Sequence, residues 1–267
     1  HVPQLDSVRV LLSDEPAMET QVSFYQRLLA MDLDEATDIL RRYLSGHSRE
    51  EAYEEMLLPV LSYAKADLRQ NNITEREHQF VMNATRNMLE KIAHEQVSGD
   101  AGDKSPAGGI EGDARKIPIV ICPAQGGGAE IALLMLRQLL NPARYEFAII
   151  SAGTLASEIA AIVAEKNPPL VCIAALSPGG LAQVRYLCKR LRAVSSDIKI
   201  VIGRWGLSGD TDSIRESLVA AGADQIGRSL CQTRDQITNL RPFISPAEGS
   251  AQSGAPAHAI QRAATSS

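Results

Sequence analysis

Three short stretches combine residue types that could do chemistry. The first is Cys122-Pro-Ala-Gln-Gly-Gly-Gly-Ala-Glu130, a glycine-rich turn that leads from an apolar run into an amphipathic segment. A turn of this kind leaves backbone amides free at a helix start, where the helix dipole adds partial positive charge and can hold an anion. The second is Ser177-Pro-Gly-Gly180, with Ser177 placed to cap a following helix and Pro178 suited to its first turn. Its amides would face the same crevice. The third is Gly203-Arg-Trp-Gly206, which holds the only Trp. Arg204 could supply a forked donor to an anion and Trp205 an apolar wall. The candidate binding residues are therefore Pro123, Gln125, Gly126, Gly128, Ser177, Gly179, Gly180, Arg204 and Trp205. Each stretch also has a plain structural explanation: glycines for close strand–helix packing, Ser177 as a cap, Trp205 as a plug on the sheet end.

Other chemistries are poorly served. Gly126 and Gly128 fit the first two glycines of a dinucleotide fingerprint, but Ile131 stands at the third and no acid ends the following strand. No Lys-Ser/Thr pair completes a phosphate loop, and no Gly-x-Ser-x-Gly elbow is present. Histidines 1, 47, 78, 94 and 258 lack metal-ligand spacing and read as solvated helix or loop residues, so no metal site is expected. Cysteines 122, 172, 188 and 231 form no C-x-x-C pair and read as reduced, mostly buried thiols. Arg185, Lys189, Arg190 and Arg192 make a basic helix face, either solvated or turned to anionic lipid or an acidic partner.

Over the 267 residues the net charge is −5, which argues against binding duplex DNA by counterion release. Aromatic residues are 4%, too few for base-stacking platforms. No apolar run reaches the roughly 20 residues needed to span a bilayer.

Two kinds of pattern position the candidate residues. Up to about residue 96 the apolar spacing is helical. Capping pairs at Asp32/Glu35, Ser48/Glu51 and Thr74/Glu77 open three helices, a short one near Val22–Ala30 precedes them, and Gly46 looks like a C-terminal stop. Pro59 should kink its helix. This predicts a four-helix bundle over 18–96 after an N-terminal segment 1–17. Residues 97–115 read as a flexible linker and 241–267 as a disordered tail, by composition. Between them, 116–240, strands and helices alternate: strands at 117–122, 145–150, 169–176, 198–203 and 223–227, helices at 154–166, 180–193, 211–221 and 231–239. A further amphipathic helix runs from the Gly126–Gly128 turn through Leu140, and near-continuous apolar strands such as Val171–Leu176 suit a parallel sheet covered on both faces. The fold class is thus α/β: a helical bundle, then a five-stranded doubly wound sheet of order 2-1-3-4-5, with its ligand crevice at the carboxyl ends of strands one and three.

This order of parts resembles the cobalamin-binding module, in which a helical cap covers a Rossmann-like domain. The family's Asp-x-His-x-x-Gly motif would fall on Pro123-Ala-Gln-Gly-Gly-Gly128: Gly128 matches, while Pro123 replaces the Asp and Gln125 the cobalt-ligating His. The Ser-x-Leu position would lie near Ser177 and the Gly-Gly pair near Gly203-Arg204. Leu218-Val-Ala-Ala-Gly-Ala-Asp224 looks like the end of that domain. The resemblance implies a retained scaffold with the lower-ligand chemistry missing, so no cofactor is expected, and any cobalamin would bind without His ligation.

A second resemblance covers almost the whole chain. His1-Val-Pro-Gln-Leu5, Leu11-Leu-Ser-Asp-Glu-Pro16, Phe24-Tyr-Gln-Arg-Leu-Leu-Ala-Met-Asp32, Arg185-Tyr-Leu-Cys-Lys-Arg-Leu-Arg192 and Val201-Ile-Gly-Arg-Trp-Gly206 look like the soluble C-terminal extension of bacterial autoinducer-2 exporter-type permeases. It implies a non-enzymatic regulatory domain on the cytoplasmic face of the inner membrane, following a polytopic membrane domain of the same polypeptide. The missing initiator Met accords with that expectation. The partners implied are that membrane domain and an anionic small molecule, with no nucleic acid and with oligomerisation left open. The rival functions are a cobalamin carrier or sensor without the His, and an enzyme domain using a nucleotide at the glycine turn.

Overall fold

The computed structural model describes residues 16–99, 116–206 and 212–244; the expected N-terminal segment, linker and tail fall largely outside these. Four helices form the first layer. They are α1 (Pro16–Leu29), α2 (Leu33–Leu44), α3 (residues 49–69) and α4 (Glu75–Gly99). All three capping pairs operate. The Asp32 carboxylate accepts from Glu35 N, Ser48 and Glu51 cap each other reciprocally, and so do Thr74 and Glu77. Gly46 differs from expectation: it follows Ser45, the cap of α2, without a positive φ, so its conformation is one any residue could adopt.

Pro59 acts differently from a kink in a regular helix. Residues Ala52–Leu57 wind as a π-helix, with Leu58 N–H donating to Tyr53 O, and the regular helix resumes at Leu58 with Pro59 in its first turn. Proline cannot donate into the preceding turn, and widening that turn moves the mismatch to a place where the ring fits.

The second layer is a five-stranded, all-parallel sheet of order β2-β1-β3-β4-β5. It comprises β1 (Ile117–Pro123), β2 (Tyr145–Ile149), β3 (Leu170–Leu176), β4 (Lys199–Trp205) and β5 (Gln225–Gly227). The crossover helices are α5 (Gly127–Leu139), α6 (Ala156–Lys166), α7 (Leu181–Val194) and α8 (Asp212–Ala220), and α9 (Leu230–Ile244) ends the described chain. One face of the sheet packs on α6, α7 and α8. The other packs on α5 and α9, and its core runs without a break into the bundle through Leu61, Met82, Ile131 and Leu176. Bundle and sheet therefore share one core.

β4 is longer than its sequence pattern indicates. Arg204 and Trp205 do not leave the strand; they extend it, paired with Ala175 and Leu176. Side chains alternate across a strand, so Trp205 joins Val201 on the α5/α9 face while Arg204 points to the opposite one. Trp205 is fully buried, and its Nε1 donates to Thr233 Oγ1 at 3.0 Å. The indole covers Gly203, where any Cβ would collide with it. The expected role of Trp205 as a wall of the crevice is thus replaced by a core role. Trp205→Ala should cost about 3–5 kcal/mol in urea unfolding, and Thr233→Val about 1–2 kcal/mol from the orphaned indole N–H. A loss below about 1 kcal/mol for Trp205→Ala would contradict this packing.

Candidate functional site

The crossover from β1 to β2 runs one way along the sheet and the return to β3 runs the other, so a crevice opens between the carboxyl ends of β1 and β3. Two turns line it. Gly126 caps α5 with φ 76°, and Gly180 caps α7 with φ 80°. Neither helix has a side-chain cap, so the first amides of two long helices face the crevice. Ser177 does not cap α7 as its sequence suggests. Its peptide bond to Pro178 is cis, the helix starts only at Leu181, and the Ser177 amide donates to Trp205 O at 2.7 Å.

The bundle closes the crevice into a cavity of about 490 Å³. From the sheet side come Gln125, Gly126, Gly128, Gly179, Gly180 and Gln183. From α3 come Leu61, Lys65, Leu68 and Arg69, and from α4 His78 and Met82. Of the nine residues singled out in the sequence, Gln125, Gly126, Gly128, Gly179 and Gly180 line the cavity. Pro123 and Ser177 are buried, and Trp205 is buried in the core on the bundle side of the sheet; none of the three lines the cavity. Arg204 is 9% exposed, and its Nη1 donates to Gly179 O at 3.1 Å, which fixes the turn before α7.

The charge of the cavity comes from residues the sequence pattern did not mark. Lys65 Nζ donates to Leu176 O at 2.6 Å. Burial, then the nearby Arg69 and Arg204 guanidinium groups, push the Lys65 ammonium down to about 8. The Arg69 guanidinium lies over Gly179, where any side chain would collide with it. No carboxylate lines the cavity, and among the described residues neither Lys65 nor Arg69 has an ion-pair partner. The signal was present in the helix period. Leu61, Lys65, Leu68 and Arg69 share one face, so the apolar stripe of α3 ends in two cations. His78 also departs from expectation: it is not solvated. Its side chain is 17% exposed and Nδ1 lacks a hydrogen-bond partner, with Glu75 Oε1 3.8 Å away. Burial lowers its pKa, which favours the neutral ring.

A scan against family models finds no match, and no curated protein matches the chain. Solved structures do. The chain is similar to the monomethylamine corrinoid protein of Methanosarcina barkeri, at 13% identity over 83% of this chain and 98% of that one, with a TM-score of 0.57. The chain shares its fold with a corrinoid protein. Two further similar structures are a cobalamin-binding protein from Desulfitobacterium hafniense DCB-2 and the methanol:cobalamin methyltransferase complex MtaBC from Methanosarcina barkeri. The first is 14% identical, over 81% of this chain and 96% of that one, with a TM-score of 0.41. The second is 16% identical, over 91% and 95%, with a TM-score of 0.34.

Several titratable groups away from the cavity serve structure. Burial raises the thiols of Cys122 and Cys188 and takes Cys172 up to about 12, so they stay protonated. On the basic face of α7, Arg192 is not available to a partner. It donates to the Gly222, Ser196 and Ile198 carbonyls and to Asp224. Glu130 joins bundle to sheet layer, pairing with Arg86 at 3.0 Å and accepting from Ala152 N at 2.7 Å. Glu54, in the π stretch of α3, accepts from Cys231 N at 2.8 Å at the start of α9. Burial raises its carboxyl, although the amide bonds oppose that. The native state thus holds its proton more tightly than the unfolded chain does. Any stability difference between Glu54 and a neutral residue therefore grows less favourable to Glu54 as pH rises through the carboxylate range. Glu54→Ala should cost about 1 kcal/mol by losing the cap. Glu54→Gln, which keeps the acceptor, should stay closer to wild type at pH 7 in the same denaturant titration.

Proposed function

We propose that this chain is a non-enzymatic regulatory module that binds a small molecule between its helical bundle and its sheet. The observation that carries this is the makeup of the cavity. Its walls come from two layers that share one core, so occupancy must bear on how the bundle sits. Its lining offers amides, cations, two glutamines and leucines, with no nucleophile–base pair.

A corrinoid held through an imidazole from the β1–α5 turn does not fit these residues. Gln125 occupies the turn position to which the cobalamin-binding resemblance assigns the His, and an amide offers no imidazole nitrogen. Above Gly128 stand Leu176 Cδ1, 3.0 Å from where its Cβ would be, and Met82 and Leu61 at ordinary contact distances of 3.5 Å and 3.8 Å. Among the described residues no group of three His, Cys, Asp or Glu side chains could hold a metal ion. The alternative, a carrier that binds cobalamin without His ligation, is supported by the shared corrinoid-protein fold.

The parent of such a module would be an autoinducer-2 exporter-type permease. The phrase-level resemblance along the chain supports this, and no described helix is long and apolar enough to cross a membrane itself. On this proposal, the module lies on the cytoplasmic face, and the coding sequence before His1 encodes several apolar segments of about 20 residues. An upstream sequence without them would remove the permease assignment.

Ligand binding is tested by thermal-shift screening of a metabolite library against wild type and Gln125→Trp, whose larger side chain would obstruct the cavity mouth. At least one compound should stabilise wild type by several degrees and leave the variant unmoved. Cyanocobalamin should not co-migrate with the protein on gel filtration. Stoichiometric co-migration would favour the carrier instead.

A further inference from the structure

The cavity's chemistry narrows the class of its guest. Its positive groups come from both sides. Lys65 and Arg69 project from the bundle, while the uncapped starts of α5 and α7 belong to the sheet layer. None of the lining residues is acidic, so the excess positive charge has no counterpart within the cavity. Assembling cations in a half-buried space without a partner is costly, and an anionic guest would offset that cost. The remaining wall is apolar, made by Leu61, Leu68, Met82 and Leu176. A volume of about 490 Å³ suits one small molecule with a charged head and a short apolar body.

We propose that the cavity binds a phosphorylated small molecule, its phosphate bridging Lys65 and Arg69 of the bundle to the amide ends of α5 and α7, its apolar body against Leu61, Leu68 and Met82. This rests on the cavity being the ligand site. A phosphate fits better than a single carboxylate because it presents three acceptor oxygens and about two charges to donors that arrive from three directions. Arg69 can bind it as a fork, and Lys65 as a compact charge already held in place by Leu176 O.

The geometry also makes binding proton-linked. The charged and titratable groups around Lys65 are Arg69 on its own helix, His78 on α4 and Arg204 on β4; the β1–α5 and β3–α7 turns contribute none. Burial, and then Arg69 and Arg204, push the Lys65 ammonium down to about 8, so much of its charge is lost at mildly alkaline pH. A bound dianion favours the charged form and draws the proton back. Above pH 7 a phosphate monoester is already largely dianionic, so loss of affinity at higher pH reports the protein and not the ligand.

The test is isothermal titration calorimetry with hexyl phosphate, inorganic phosphate and 1-hexanol as probes. Hexyl phosphate should bind, and inorganic phosphate at least ten-fold more weakly. Hexanol should give no measurable heat. Lys65→Ala and Arg69→Ala should each weaken hexyl phosphate at least ten-fold. Wild-type affinity should fall about ten-fold from pH 7 to pH 9, while Lys65→Arg, which keeps the charge, should bind with a flat profile. Melting curves check that each variant is folded. Hexanol binding as tightly as hexyl phosphate would overturn the phosphate inference and leave the cavity as a ligand site. No heat from hexyl phosphate, or undiminished binding by a folded Lys65→Ala/Arg69→Ala double variant, would also overturn it. A metabolite hit in the thermal-shift screen that Gln125→Trp abolishes would still stand in either case.

Discussion

The seating of α3 on the carboxyl ends of β1, β3 and β4 is the contact on which the rest of the molecule depends. Lys65 bonds the last carbonyl of β3, Ser62 lies against Gly206 so closely that a Cβ there would collide, and Arg69 covers Gly179. Leu61, with Met82 of α4, lies in contact over Gly128. Glycine stands beneath these approaches at 128, 179 and 206, and at 179 and 206 its positive φ suits the turn as well. Further along, Tyr53 bonds Gln138 and Glu54 caps α9. The π stretch forced near Pro59 lies in this same part of α3, so the irregular turn belongs to the docking surface itself.

That seat explains why the cavity is both small and positive. Parallel strands end by pointing their carbonyls, and the following helices their amides, at one crevice. An open crevice would be wetted and neutral in effect. Covered by α3, it becomes a space of limited volume in which two helix starts and two cations are poorly screened. The same cover draws the bundle into the binding site. A guest that neutralises this charge would touch both layers, which is what a module must have if it is to pass ligand occupancy on to an attached domain.

The sheet order and the bundle were legible in the sequence because their signals are local and repeated: apolar strand runs alternating with amphipathic helices, and capping pairs three residues apart. The cavity was legible by half. Gln125 to Gly128 and Gly179 to Gly180 carry turn chemistry that any βα unit exposes at its strand ends. Lys65 and Arg69 carry no such mark, since their role comes from a contact over 100 positions away in the chain. Trp205 was misplaced because a Gly-Arg-Trp-Gly stretch looks like a turn. Pairing with β3 keeps it in the strand, and strand parity then sends the indole into the core and the guanidinium to the other face. Arg192 looked like a surface charge for the same reason: its partners Gly222 and Asp224 are distant in sequence.

The most direct measurement of the central claim is a backbone amide NMR titration of the isotope-labelled protein with hexyl phosphate at pH 7. The largest shifts should fall on Gly126–Gly128 and on Gly179–Ala182, with smaller ones along α3 around Lys65 and Arg69. Shifts confined to the outer face of α7 around Arg185, Lys189 and Arg190, or none at saturating probe, would contradict it.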